Sequence, residues 1–219
     1  MSIQQNILHI KSTLPEHVTL VAVSKTKPIP DLMEAYTAGQ RIFGENKIQE
    51  MVDKWEQMPK DIEWHMIGHV QTNKVKFMAP FVSLIHGVDS LKLLEEINKQ
   101  ASKNNRVIDC LLQIYIAEEE SKFGLDEEEL TALLTSPTFK DMKNIRIVGL
   151  MGMATFTDNQ KQIQKEFTHL KSIFDRLQPL QTANCKLQTV SMGMSGDYQL
   201  AIACGSTMVR IGSSIFGGR

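Results

Sequence analysis

The chain has 219 residues, 42% of them hydrophobic, and 24 basic side chains against 25 acidic ones. That size and apolar content suit one large domain, or two small ones, with a sizeable core, and argue against disorder. A net charge of −1 offers no general attraction for nucleic acid or anionic lipid, no apolar run approaches the roughly 20 residues of a membrane span, and the first residues lack the pattern of a secretory leader.

In chain order, residues 3–12 read as a helix that precedes the first strand. Runs rich in β-branched and aliphatic residues then predict eight strands, at 18–24, 41–44, 62–67, 84–88, 107–116, 145–151, 187–191 and 208–211. Several are apolar throughout, which suits parallel strands covered on both faces. Helical periods fill the gaps. Ile48, Met51, Val52 and Trp55 share one face, as do Ile163, Phe167, Leu170, Phe174 and Leu177. Asp126 and Glu129 resemble a capping box, and Gly39 and Gly205 stand where helices should stop. No Gly-x-Gly-x-x-Gly follows the first strand, so a doubly wound sheet is the weaker reading. The expected fold is α/β: a single (β/α)8 TIM barrel over residues 1–219 with an extra amino-terminal helix. Cys110, Cys185 and Cys204 are odd in number and widely spaced, as expected of reduced thiols in a cytoplasmic protein.

Barrel chemistry sits at the carboxyl ends of the strands, and the unusual residues fall there. Ser24-Lys25-Thr26-Lys27-Pro28 follows the first strand, Glu45-Asn46 the second, and Gly68-His69-Val70-Gln71-Thr72-Asn73-Lys74 the third. Lys25 reads either as a Schiff-base lysine, its amine kept neutral by burial and by Lys27, or as a rim lysine whose stem packs on the barrel. The turns Gly193 to Gly196 and Gly212 to Ser214 resemble a phosphate cradle in two consecutive loops, or a helix cap and a plain turn. Arg210, on the last strand, needs an acceptor: a heteroaromatic ring nitrogen or an acidic neighbour. His65 and His69 are four apart, but on a strand-to-turn segment a satisfied buried His65 and a loop His69 are preferred to a metal pair.

Six motifs then occur in order: Ala22-Val23-Ser24-Lys25-Thr26-Lys27-Pro28, Phe43-Gly44-Glu45-Asn46, Trp64-His65-Met66-Ile67-Gly68-His69-Val70-Gln71-Thr72-Asn73-Lys74, Gly149-Leu150-Met151, Ser191-Met192-Gly193-Met194-Ser195 and Gly205-Ser206-Thr207-Met208-Val209-Arg210-Ile211-Gly212. This set resembles the pyridoxal 5′-phosphate homeostasis protein family, the YggS-type proteins, whose single barrel is similar to the amino-terminal domain of alanine racemase. The resemblance implies that Lys25 holds pyridoxal 5′-phosphate (PLP) as a Schiff base and that Arg210 faces the pyridine nitrogen. It implies that Ser195, Gly212 and Ser213 hold the phosphate with Ser191 nearby, that Asn46 lines the ring, and that Lys27, His65 and Met151 shape the pocket wall. Lys122 matches a family lysine that contacts or transiently receives the cofactor.

The expected function is a non-catalytic carrier that buffers PLP and delivers it to PLP-dependent apoenzymes, in a cytoplasmic monomer with no nucleic-acid or membrane partner. Two features support that expectation. The chain ends just past strand eight, leaving no room for a second domain, and an arginine against the ring nitrogen weakens the ring as an electron sink. The alternatives are a PLP-dependent racemase or transaminase-like enzyme with Lys25 as proton shuttle, and a cofactor-free Schiff-base aldolase.

Overall fold

The computed structural model describes residues 2–118, 123–179 and 181–218. Its eight strands, β1 (Thr19–Val23), β2 (Ile42–Glu45), β3 (Glu63–Met66), β4 (Leu84–Val88), β5 (Ile108–Gln113), β6 (Ile145–Met151), β7 (Cys185–Met194) and β8 (Met208–Ile211), form a closed barrel in sequence order. Every pair is parallel, including the closing one, where Val21 stands opposite Arg210. The helices are α1 (Ile3–Thr13), α2 (Ile29–Thr37), α3 (Ile48–Gln57), α4 (Val75–Met78), α5 (Leu91–Lys103), α6 (Glu127–Thr135), α7 (Pro137–Lys140), α8 (Gln160–Leu177), α9 (Tyr198–Ala203) and α10 (Ser213–Phe216).

Local chemistry accounts for the boundaries. Asp126 caps α6 through a reciprocal box with Glu129, and Ser2 with Gln5 does the same for α1. Gly39 (φ +86) and Gly205 (φ +96) take the left-handed conformation just past α2 and α9, where a side chain would be strained. The extra helix α1 buries Ile7 and Ile10 and donates from Asn6 to the Ile215 carbonyl (2.9 Å), so it ties α10 to the barrel.

Two strands differ from their sequence-based bounds by more than one residue at an end. β5 stops at Gln113 because the Tyr115 amide turns away to the Leu125 carbonyl (3.0 Å). β7 runs on to Met194, absorbing the first half of its expected loop. A register shift between Ser191 and Met194, at Gly193 (φ +98), lets it do so as a bulge.

Alternation along the strands sorts the side chains into two clusters. Leu20, Ala22, Phe43, Trp64 and Ile85 point outward into a continuous shell beneath the helices. Val21, Leu84, Leu111, Met151 and Met208 fill the barrel interior. Above that plug the interior turns polar: His65, His86, Gln113, Ser191 and Arg210 are all buried. An apolar plug with a polar layer over it forms the base on which the site stands.

Candidate cofactor site

At the carboxyl ends of the strands lies a cavity of about 610 Å³. Val23, Ile67, Gln113, Met153, Met194 and Arg210 line it from the strand ends and the residues just beyond them. Lys25, Thr26, Lys27, Asn46, Ser195 and Gly212 line it from the loops, and Ser213 from the start of α10. The phenyl rings of Phe123 and Phe156 stand at its mouth, Phe156 93% exposed, and Phe123 stacks on His69 at 4.7 Å.

The two loop lysines have different surroundings. Lys27 Nζ donates to the Phe216 carbonyl (3.0 Å) and the Gly218 carbonyl (3.1 Å), fastening the segment after α10 to the first loop. Lys25 sits one residue inside a tight turn closed by the Lys27 amide on the Ser24 carbonyl (3.1 Å). That turn begins directly after Val23, the last residue of β1, so the barrel wall sets its position.

Arg210 is 4% exposed. Its Nη1 donates to the Ser191 carbonyl (2.9 Å) and hydroxyl (2.5 Å), and Nη2 donates to the Gly152 carbonyl (3.1 Å). None of these bonds uses Nε. Burial pushes the guanidinium down to about 10, with Asp197 partly opposing, so it remains a cation near neutrality. Among the described residues no carboxylate lies within ion-pair distance of it, so the acidic-neighbour reading is replaced by hydroxyl and carbonyl acceptors.

Those acceptors continue into a chain of buried groups. Ser191 Oγ lies 3.1 Å from His86 Nδ1, and His86 Nε2 lies 3.0 Å from His65 Nδ1. Arginine only donates, so the order that satisfies each member runs from Arg210 to the Ser191 oxygen, from its hydroxyl to His86 Nδ1, and from His86 Nε2–H to His65. Burial holds His65 down at about 3. His86 is also far below its ordinary value, through burial first and then the neighbouring His65 and Arg210. Both imidazoles are therefore neutral.

The anion cradle is built from small residues. Ser195 Oγ accepts the Gly212 amide (3.2 Å) and the Ser214 amide (3.5 Å), so these N–H groups converge beside the loop after β7. A Cβ on Gly212 would sit a tight 3.1 Å from the Val23 carbonyl oxygen, so the bare backbone eases the packing of this turn on β1. Gly68 has the same part at the other wall, where an added Cβ would come within 2.5 Å of the Asn46 carbonyl oxygen.

The alanine racemase N-terminal domain family matches residues 1–219. A pyridoxal phosphate homeostasis protein of Pasteurella multocida is 39% identical over 223 residues, 99% of this chain and 94% of the relative. One of Escherichia coli is 38% identical over 209 residues, 94% of this chain and 87% of the relative. The chain belongs to the pyridoxal phosphate homeostasis protein family. Among solved structures, PipY of Synechococcus elongatus with PLP bound matches at a TM-score of 0.90 with 34% identity, covering 99% of this chain and 100% of that one. An alanine racemase from Bartonella henselae, 19% identical, has the same barrel at a TM-score of 0.73 over 99% of this chain and 58% of its own.

In this member of the homeostasis family, Lys25, Lys27, Asn46, Ser195, Arg210, Gly212 and Ser213 all face one cavity. Ser191, His65 and Met151 do not line it; they lie beneath. The reason is strand geometry: side chains two residues apart share a face but differ in height by nearly 7 Å. Ile67 and Met153 form the wall, and His65 and Met151 stand one layer lower. Ser191 supports Arg210 from below. Lys122 lies outside the described residues. His86 was missed by sequence reasoning, although an imidazole inside the apolar run Leu84-Ile85-His86-Gly87-Val88 was the available signal. Gln113 and Met153 were also missed.

Proposed function

We propose that this chain binds PLP reversibly through a covalent bond to Lys25, buffers it and passes it to PLP-dependent apoenzymes. The observation that carries this reading is one cavity that joins three complementary groups: the Lys25 amine at one wall, the Arg210 guanidinium at the floor, and the amides and hydroxyls of Ser195, Gly212 and Ser213 at the opposite rim. The donor set fits the cofactor. The Gly212 and Ser214 amides and the Ser195 hydroxyl are gathered at one rim, a grouping of donors that suits a phosphate. When bound, the cofactor supplies an aldehyde that exchanges reversibly between amines and water.

The chain's own residues then have distinct tasks. Lys25 provides the amine. Arg210, a cation near neutrality held by Ser191, would donate to the ring nitrogen and leave it unprotonated, which would favour holding over turnover. Asn46 would line the ring, and Lys27 would close the rim. Family membership and the PLP-bound PipY relative support this reading. We further assign the chain to the cytoplasm, as a monomer; its three thiols suit a reducing compartment.

The test is an absorbance spectrum with added PLP, followed by borohydride reduction and peptide mapping, for the wild type and Lys25→Ala. The expected label lies on the peptide containing Lys25 and is lost in the variant. Label on Lys27 or Lys122 in the wild type overturns the assignment. For the non-catalytic part, loaded protein is incubated with single L-amino acids in heavy water. No exchange of the α-hydrogen above the buffer rate is expected, and rapid exchange or D-isomer formation overturns it.

A further inference from the structure

The first loop is held from outside the cavity by a buried ionic cluster. Lys54, on α3 and nearly fully buried, donates to the Ser24 carbonyl (2.8 Å), Glu45 Oε1 (2.7 Å) and Glu50 Oε1 (2.7 Å). Three acceptors use all three of its N–H groups. The Ser24 hydroxyl also donates to Glu45 Oε1 (2.6 Å), and Glu50 Oε1 accepts the Thr26 amide (2.6 Å). The cluster thus grips the residues on either side of Lys25.

One of those residues has an unfavourable conformation. Thr26 has φ +64; among the described non-glycine residues it shares a positive φ only with Asn105. The turn from Ser24 to Lys27 is therefore of type II, with Lys25 at its second position and Thr26 at its third, where glycine is favoured and a β-branched residue is strained. In the type I alternative Thr26 takes a negative φ, and the Lys25–Thr26 peptide turns over, carrying the Thr26 N–H away from Glu50.

We propose that Glu50, oriented by Lys54, is a positioning residue that selects the type II form of this turn and so sets Lys25 and Thr26 against the cavity. The inference rests on the reading of Lys25 as the anchoring amine.

A double-mutant cycle on Thr26 and Glu50 tests it. Attachment of PLP is measured by absorbance titration and by the fraction of Lys25 trapped with borohydride. Melting temperatures of the unloaded proteins are recorded alongside. Glu50→Ala is expected to weaken attachment about tenfold, the scale of one residue's left-handed penalty. Glycine takes the positive φ without strain, so in a Thr26→Gly background adding Glu50→Ala is expected to change attachment by less than about twofold. A tenfold loss that persists in the glycine background reflects general destabilisation and overturns the inference, as does no loss in either background. Wild-type label on a lysine other than Lys25 overturns the reading on which the inference rests.

Discussion

The two neutral imidazoles beneath Arg210 make the folded state sensitive to mild acid, and His65→Gln isolates the effect. An unfolded histidine titrates at its ordinary 6.5, whereas burial holds His65 at about 3 in the fold. Between those values the unfolded chain binds a proton that the folded chain refuses, so this contribution is intact above 6.5 and is lost as the pH falls towards 3. At pH 5.0 the loss from His65 alone is about 2 kcal/mol relative to pH 7.5. For a chain of this length that corresponds to about 4–8 °C in Tm. His86 acts in the same direction. The amide of His65→Gln still offers an acceptor to His86 Nε2–H but has nothing to titrate. Thermal unfolding followed by circular dichroism at pH 7.5 and 5.0 gives the two slopes. The variant's Tm should fall about 4–8 °C less than that of the wild type between the two pH values. Equal slopes would show that His65 carries a proton in the fold, or meets water, and would refute the neutral chain of Arg210, Ser191, His86 and His65.

Two further expectations concern the frame of the site. Lys54→Met leaves Glu45, which is fully buried, without its counter-charge, and should cost about 3–5 kcal/mol in urea unfolding. Adding Glu45→Gln should recover at least half of that loss, and a single-variant loss under about 1 kcal/mol contradicts the buried pairing. Gly149→Ala places a Cβ 1.9 Å from the Thr189 carbonyl oxygen on the neighbouring strand. The seam between β6 and β7 must shift to admit it, so a loss of about 3 kcal/mol, the upper end for overpacking, is expected, read as a fall of about 6–12 °C in Tm. An unchanged Tm would mean that this seam is looser than the register implies.

The barrel, its strand order and the loops that bear Lys25, Asn46, Ser195 and Gly212 were legible from the sequence because they depend on local signals. Apolar runs of strand length separated by helical periods leave one economical fold at this size, and glycine, serine and lysine just after such runs mark its chemical end. The height of each side chain within the barrel was not legible. A strand's period of two tells which residues share a face, but closure and register decide which of them reaches the cavity and which lies below. That is why Ile67 and Met153 stand where His65 and Met151 were expected, and why the Gly193 bulge was needed to bring Met194 level with Arg210. The polar chain of His65, His86, Ser191 and Arg210 and the clamp of Glu45, Glu50 and Lys54 were equally hidden, since their members come from different strands and helices. Each is a polar or charged side chain whose desolvation is offset only by partners that the closed barrel brings within hydrogen-bond reach, and no linear pattern records that distance.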